Sequence, residues 1–399
     1  MLAHGVSRNT RVVAQSGLGC WLRDTRGRDY LDFTSGIGAL STGHSHPHVV
    51  QAVCEQVPKL VHAQQNCVLT HPPQQTVLRH LQSVLPAALD SIFFTSSGSE
   101  GVENAVKVAR ASTGRPHVIS CVGGFHGRTS GSMALSSSRV SCRQGFQPFM
   151  PGIFFVDYPE DPAHFRRQLR TLFERQTAPD ETAAVVLEPV LGEGGVRAAH
   201  AEAVQHLRKE CTRHGILLIS DEVQTGMGRT GAWWGYQHWG GIEPDLLVFG
   251  KGIASGFPLA GVAGAARHFQ AVQSNGLGGT YNGNAVAMAA AAATFEVFHA
   301  EDLVSNAALK GSQLARCLRQ LGHPLIRDVR QYGLMLAIEL NMPRAALPGL
   351  LALAPEHGLL LLGTGMGATV RLLPPLVLTP IDMSAFILRF QNLLMASSW

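Results

Sequence analysis

Lysine is scarce in this chain. There are five in 399 residues: Lys59, Lys107, Lys209, Lys251 and Lys310. The formal charge of +4 comes mainly from scattered arginines, which form no basic stripe, and nucleic acid is therefore set aside as a partner. Long apolar runs are missing too. The Ala-rich stretch 285–293 is too short and too weakly apolar to span a bilayer, so no membrane partner is expected. Residues 1–10 carry no apolar signal core, which makes the cytosol the default location, with a weak or removed transit peptide left open. The seven cysteines, Cys20, Cys54, Cys67, Cys121, Cys142, Cys211 and Cys317, are odd in number and contain no C-x-x-C. They point to free thiols in a reducing compartment and away from structural zinc.

What is present is aliphatic. Hydrophobic residues make up 45 % of the chain against 15 % charged, an ordinary balance for a soluble enzyme whose parallel sheet is covered by helices. Between about 71 and 295, helical stretches alternate with short apolar runs at 91–95, 118–121, 153–156, 184–187, 216–220, 246–249 and 259–263. Seven such runs predict an α/β fold with a mostly parallel seven-stranded sheet. Helices are expected at 47–60, 100–111, 162–175, 202–214, 284–298 and 303–321. Strands at 326–330, 334–340, 359–362 and 369–372 follow, the pattern of a second, smaller α+β domain. The alternating segment 18–34 reads as a hairpin. The expected division is a flap at 1–45 packing with the small domain, a large domain at 46–298 and a small domain at 299–399.

Four of the lysines sit in helical or polar surroundings, but Lys251 follows the apolar run 246–249. An amine at the end of a buried strand is partly desolvated, which lowers its pKa and lets it attack a carbonyl. The bland alternative is a lysine snorkelling out of a strand end. Around it the sequence offers further chemistry at strand ends. Thr95-Ser-Ser-Gly-Ser-Glu, with Gly98 and Ser99, suits an anion at a helix N-terminus, or else a serine cap with Glu103 completing a capping box. Asp221 ends the apolar run 216–220 and needs a cation, either a protonated pyridine nitrogen, Arg229 or a metal. Phe125 offers a face for a flat ring, and Arg128 a fork for a carboxylate. Glu188 and Glu193 follow the run 184–187, and Arg371 stands in an apolar strand, where an exposed head is the common case. The alternating His44, His46 and His48 lie among glycines and a proline that argue against a metal-binding strand. Phosphate, basic ring nitrogen, π-face and aldehyde are together the handles of pyridoxal 5'-phosphate (PLP).

In combination, the motifs Gly-His-Ser-His-Pro, Ser-Gly-Ser-Glu, Phe-His-Gly-Arg-Thr, Glu-Pro-Val-Leu-Gly-Glu-Gly-Gly, Asp-Glu-Val-Gln-Thr-Gly-Met-Gly-Arg-Thr-Gly and Gly-Gly-Thr-Tyr-Asn-Gly-Asn resemble those of the class III (omega) aminotransferases of the fold-type I PLP family. The likeness is greatest to the 4-aminobutyrate enzymes. It implies that Lys251 holds the cofactor and moves the proton, and that Asp221 pairs with the ring nitrogen. It also implies that Gln224 meets the ring hydroxyl, that Val223 and Phe125 sandwich the ring, and that His126 and Glu188 belong to the cofactor site. Gly98 and Ser99 would hold the phosphate, with Thr280 reaching it from the neighbouring subunit of a homodimer or tetramer. For substrate, the resemblance assigns Arg128 and Ile37 to a distal carboxylate and Arg371 to the carboxylate of 2-oxoglutarate nearest the reacting carbon. Glu193 would cover Arg371 when an ω-amino acid is bound. Acetylornithine, ornithine, putrescine and other amine transaminases are the rivals, with a PLP-dependent racemase, epimerase or decarboxylase and a non-catalytic PLP-binding protein more remote. Ile37, where ornithine enzymes tend to carry tyrosine, speaks against ornithine. Two departures stand out. Gly101 replaces the usual alanine, which is expected to weaken the helix start by roughly 0.5–1 kcal/mol, and 341–357 is short for a 4-aminobutyrate enzyme.

Overall fold

Strands rich in Val, Ile and Leu with no polar alternation are made to be covered on both sides, and that is where they lie. The computed structural model describes Ala3, Gly5, Arg8 and residues 10–65 and 69–396. Its central sheet runs, edge to edge, Ser91–Thr95, Ala260–Gly264, Leu246–Phe249, Leu217–Asp221, Thr182–Leu187, His117–Cys121 and Ile153–Val156. Ala260–Gly264 runs against the other six strands, which share one direction. Successive side chains point to opposite faces. Val185, Leu187, Leu218, Leu247 and Phe249 enter one core, while Ala184, Val186, Ile219, Leu246 and Val248 enter the other. The second core is closed by the helix Gly98–Thr113 through Val102, Ala105, Val106, Val108 and Ala109.

That helix starts on a capping box, but the partners are Ser97 and Glu100, which corrects the reading of Glu103 as its acid. Glu103 lies one turn further on and reaches across to cap the helix Ser130–Leu135, taking the Thr129 hydroxyl and the Gly131 and Ser132 amides. Gly101 has a packing reason. A Cβ there would sit 2.8 Å from Val248 Cγ1, so the glycine lets the helix settle onto the sheet.

Two smaller sheets flank the large one. Ala14–Leu18, Trp21–Asp24 and Asp29–Asp32 form an antiparallel set whose last strand pairs in parallel with Leu359–Leu360. Ile326–Tyr332, Met335–Leu340, Thr369–Leu372 and Leu362–Gly363 make an antiparallel sheet. The strand expected at 359–362 is therefore two strands in two sheets, with buried Leu361 at the crossing. A run of identical leucines carries no alternation to reveal such a switch. The helix expected at 47–60 ends early, as Pro47–Gln56, because Pro58 cannot continue it. A terminal helix that the sequence reading lacked, Pro380–Ala396, stacks Phe386 on Phe33 with ring centroids 3.9 Å apart. Its Asp382 accepts the Trp21 indole N–H at 2.8 Å.

No helix among the described residues is long and apolar enough to cross a membrane. The six described cysteines are free, and Cys67 lies outside the described residues.

Candidate active site

The parallel strands share a direction, so the residues that follow their C-terminal ends meet at one edge of the sheet. Gly98 and Ser99 come after Ser91–Thr95, Phe125 and His126 after His117–Cys121, and Glu188 after Thr182–Leu187. Asp221 ends its strand, paired with Val248, and Lys251 follows Leu246–Phe249. All of them line one cavity of about 180 Å³, together with Gly127, Glu193, Val223 and Gln224. Roomier hollows exist on the surface, but they gather no lysine opposite an acid.

Lys251 has φ +45°, in the left-handed region, after an extended Gly250. For a residue with a Cβ that conformation costs on the order of 1–2 kcal/mol, and it turns the side chain off the strand axis into the cavity. Burial lowers the Lys251 ammonium to about 8, and the nearby Arg371 charge pushes the same way.

Asp221 is buried, with one oxygen 2.7 Å from His126 Nδ1 and the other accepting the Val223 amide at 3.1 Å. Burial opposes a charge on the His126 ring, but the hydrogen bond and charge of Asp221 outweigh it and raise its pKa. The ring's Nε2 is buried and has no hydrogen-bond partner. Arg229, the alternative partner for Asp221, is buried elsewhere and donates to the carbonyls of Leu334 and Pro374. Glu188 accepts the amides of Phe125 at 2.7 Å and Gly192 at 3.0 Å, and burial pushes its carboxyl up to about 7.

Gly98 and Ser99 open a 16-residue helix, whose first amides have no intrahelical acceptor and face anions favourably. A Cβ on Gly98 would lie 2.7 Å from Val223 Cγ1, and one on Gly127 would lie 2.2 Å from Ser99 Oγ. The glycines of these motifs are thus demanded by close approach.

Arg371 is 2 % exposed, which rules out the alternative of an exposed guanidinium, and it does not itself line the cavity but meets it through Glu193 and Gln224. Its Nη2 holds Glu193 Oε1 at 2.7 Å and its Nη1 donates to Gln224 Oε1 at 3.1 Å. Gln224 spends its amide oxygen on this arginine. A residue missing from the sequence reading, Arg139, takes the second oxygen of Glu193 at 2.5 Å. It stands alone after three serines in a loop, where no periodicity marks it.

Arg128 is exposed, its guanidinium carbon 6.0 Å from the Phe125 ring centroid, and it does not line the cavity. Ile37, 49 % exposed, and Thr280, also exposed, do not line it in their own chain either. His44, His46 and His48 pair with three separate acids, Asp32, Glu301 and Glu296. Among the described residues no cluster of His, Cys, Asp or Glu is placed to hold a metal.

The family Aminotransferase class-III matches residues 2–394. The chain belongs to this family. The aminotransferase is similar to the 5-aminovalerate aminotransferase of Pseudomonas putida, 42 % identical over 389 residues that cover 93 % of this chain and 91 % of that one. It is also similar to the 4-aminobutyrate aminotransferase of Escherichia coli, 40 % identical over 398 residues, with 94 % and 92 % covered. Among solved structures, an amine transaminase from an uncultivated Pseudomonas species in its PLP-bound form matches with a TM-score of 0.89 at 29 % identity, over 99 % of this chain and 98 % of that one. Class III aminotransferases depend on PLP. The residues present fit the cofactor, since one cavity brings together a lysine of lowered pKa, a buried acid, an aromatic face and a helix N-terminus cleared by glycine.

Proposed function

We propose that this aminotransferase moves the terminal amino group of an ω-amino acid of the 4-aminobutyrate and 5-aminovalerate class to 2-oxoglutarate, in two half-reactions at one site. The observation that carries this reading is the ion pair between buried Arg371 and Glu193, a residue that lines the same cavity as Asp221 and Lys251. With the pair closed, the wall presents no free cation to the unsubstituted end of an ω-amino acid. With the pair open, Arg371 offers a planar fork to the carboxylate beside the keto group of 2-oxoglutarate. Arg128 takes the distal carboxylate in both cases, and Ile37 packs near its chain.

Bound PLP supplies an electrophilic carbon for amino transfer and an electron-withdrawing ring. Asp221 would face its ring nitrogen, and the hydrogen bond from His126 holds the Asp221 carboxylate in position. Gly98 and Ser99 would hold the phosphate at the helix N-terminus, joined by Thr280 from a second copy in a homodimer with shared sites. Phe125 and Val223 would cover the ring's two faces, while Glu188 fixes the Phe125 amide. Lys251 Nζ would serve as the base that takes a proton from the amino-bearing carbon of the substrate. The test is a donor panel read by the cofactor's visible absorbance. Bleaching by 4-aminobutyrate or 5-aminovalerate, and recovery with 2-oxoglutarate, is expected. Bleaching by N-acetylornithine, ornithine or putrescine alone would replace the donor class proposed here.

A further inference from the structure

Glu193 is held from two sides. Oε1 meets Arg371 Nη2 at 2.7 Å, and Oε2 meets Arg139 Nη2 at 2.5 Å. Arg139 is fixed in turn by a hydrogen bond to the Gly363 carbonyl at 3.2 Å. Three segments close around this spot. The Gly365 amide donates to the Glu193 carbonyl at 2.8 Å, and a Cβ on Gly365 would lie 2.7 Å from the Ser138 carbonyl oxygen and 2.9 Å from Arg139 Cγ. The Nε atoms of Arg139 and Arg371 are both buried without a partner. Glu193 lines the cavity and Arg139 does not.

A single partner would make the switch expensive. If Arg371 alone neutralised Glu193, a substrate carboxylate that claimed Arg371 would leave a largely desolvated carboxylate unpaired beside a second anion, an unfavourable state. The second arginine removes that obstacle. Because the two guanidinia use different oxygens, Glu193 can give up Arg371 and keep an ion pair. We propose that Arg139 is a positioning residue that receives Glu193 when a dicarboxylate takes Arg371, and so sets the enzyme's preference between substrates with one carboxylate and with two.

The proposal rests on the carboxylate role given to Arg371 above, and its test separates the two. Calorimetric titration of the PLP-loaded enzyme with glutarate and with valerate measures binding without turnover. The wild type should favour glutarate. In Arg139→Ala the ratio of glutarate to valerate affinity should fall about tenfold, because the open state is less populated, and Arg139→Lys should restore part of it. In a Glu193→Gln background, Arg139→Ala should leave the ratio unchanged, as the two residues act through one contact. A ratio within twofold of wild type in Arg139→Ala, or an equal fall in both backgrounds, overturns the proposal and leaves Arg371 as the carboxylate site. If the wild type shows no preference for glutarate, the role of Arg371 fails, and the proposal fails with it.

Discussion

Asp221 Oδ2 and His126 Nδ1 share a 2.7 Å hydrogen bond between two buried side chains. Burial disfavours the charged imidazole, but Asp221 outweighs it and raises the ring's pKa, while the acid's other oxygen is fixed by the Val223 amide. Asp221→Asn preserves the shape but removes the charge that both the His126 ring and a pyridinium require. Loss of one partner from a buried pair costs several kcal/mol, so kcat/KM should drop about 10³-fold or more. Steady-state kinetics of the variant at saturating PLP check this, and a loss below tenfold would contradict the role given to the acid.

The same pair bears on stability. The folded-state pKa of His126 is raised, chiefly against the opposing effect of burial, so its contribution is complete below the ordinary histidine range. It is lost as pH rises through the raised value. The thermal midpoint of the cofactor-free protein should therefore decline over that interval more steeply in the wild type than in His126→Asn. Parallel profiles of the two proteins would show that folding leaves the ring's affinity for its proton unchanged.

Lys251 attacks only as the neutral amine, and its pKa is lowered to about 8 by burial and by Arg371. Reconstitution of the cofactor-free protein with PLP, followed by stopped-flow absorbance, should quicken with rising pH and level off above about 8. A midpoint near the ordinary lysine range would place the amine in water. Lys251→Ala should bind PLP without the imine absorbance and show no turnover.

Glu193→Gln leaves Arg371 without its anion. The site should then favour amino acids that carry a carboxylate beside the amine, with the kcat/KM ratio of glutamate to 4-aminobutyrate rising about tenfold. This is opposite in direction to the effect expected of Arg139→Ala. Half-reaction titrations with each donor measure the ratio, and a uniform loss for both donors would reduce Glu193 to a structural role.

The legible parts of this protein are those that local chemistry marks. An apolar run followed by a lone lysine announces both a buried strand and Lys251. The central sheet follows because its aliphatic runs admit only burial on both faces. Asp221 and Arg371 were visible as charges set in such runs, although the fate of each head depended on its partner. Arg139 was illegible because its meaning comes from a contact 54 positions away, in a loop without pattern. The leucines at 359–362 hide a change of sheet, and the terminal helix spreads its apolar residues too evenly to show a face. Ile37 and Thr280 were assigned by resemblance alone, and neither meets the cavity within its own chain.

Gly311 tests how tightly the small antiparallel sheet is docked. It lies buried in the helix Leu303–Gln320, where a Cβ would fall 1.8 Å from the Gly333 carbonyl oxygen and 2.3 Å from its carbon. Gly333 cannot retreat. It turns at φ +52° with its own Cβ direction blocked by the Gly231 nitrogen at 2.4 Å, and the next residue, Leu334, is hydrogen-bonded both ways to Arg229. Helix propensity alone would favour alanine by about 0.8–1 kcal/mol. A backbone collision that cannot relax costs more, about 3 kcal/mol in an overpacked core. The net cost is about 2 kcal/mol, so Gly311→Ala should lower the thermal midpoint by about 2–3 °C in a chain of this size, measured by calorimetry on the PLP-loaded enzyme. A variant that melts with or above the wild type would mean that the 333 turn yields to the added methyl.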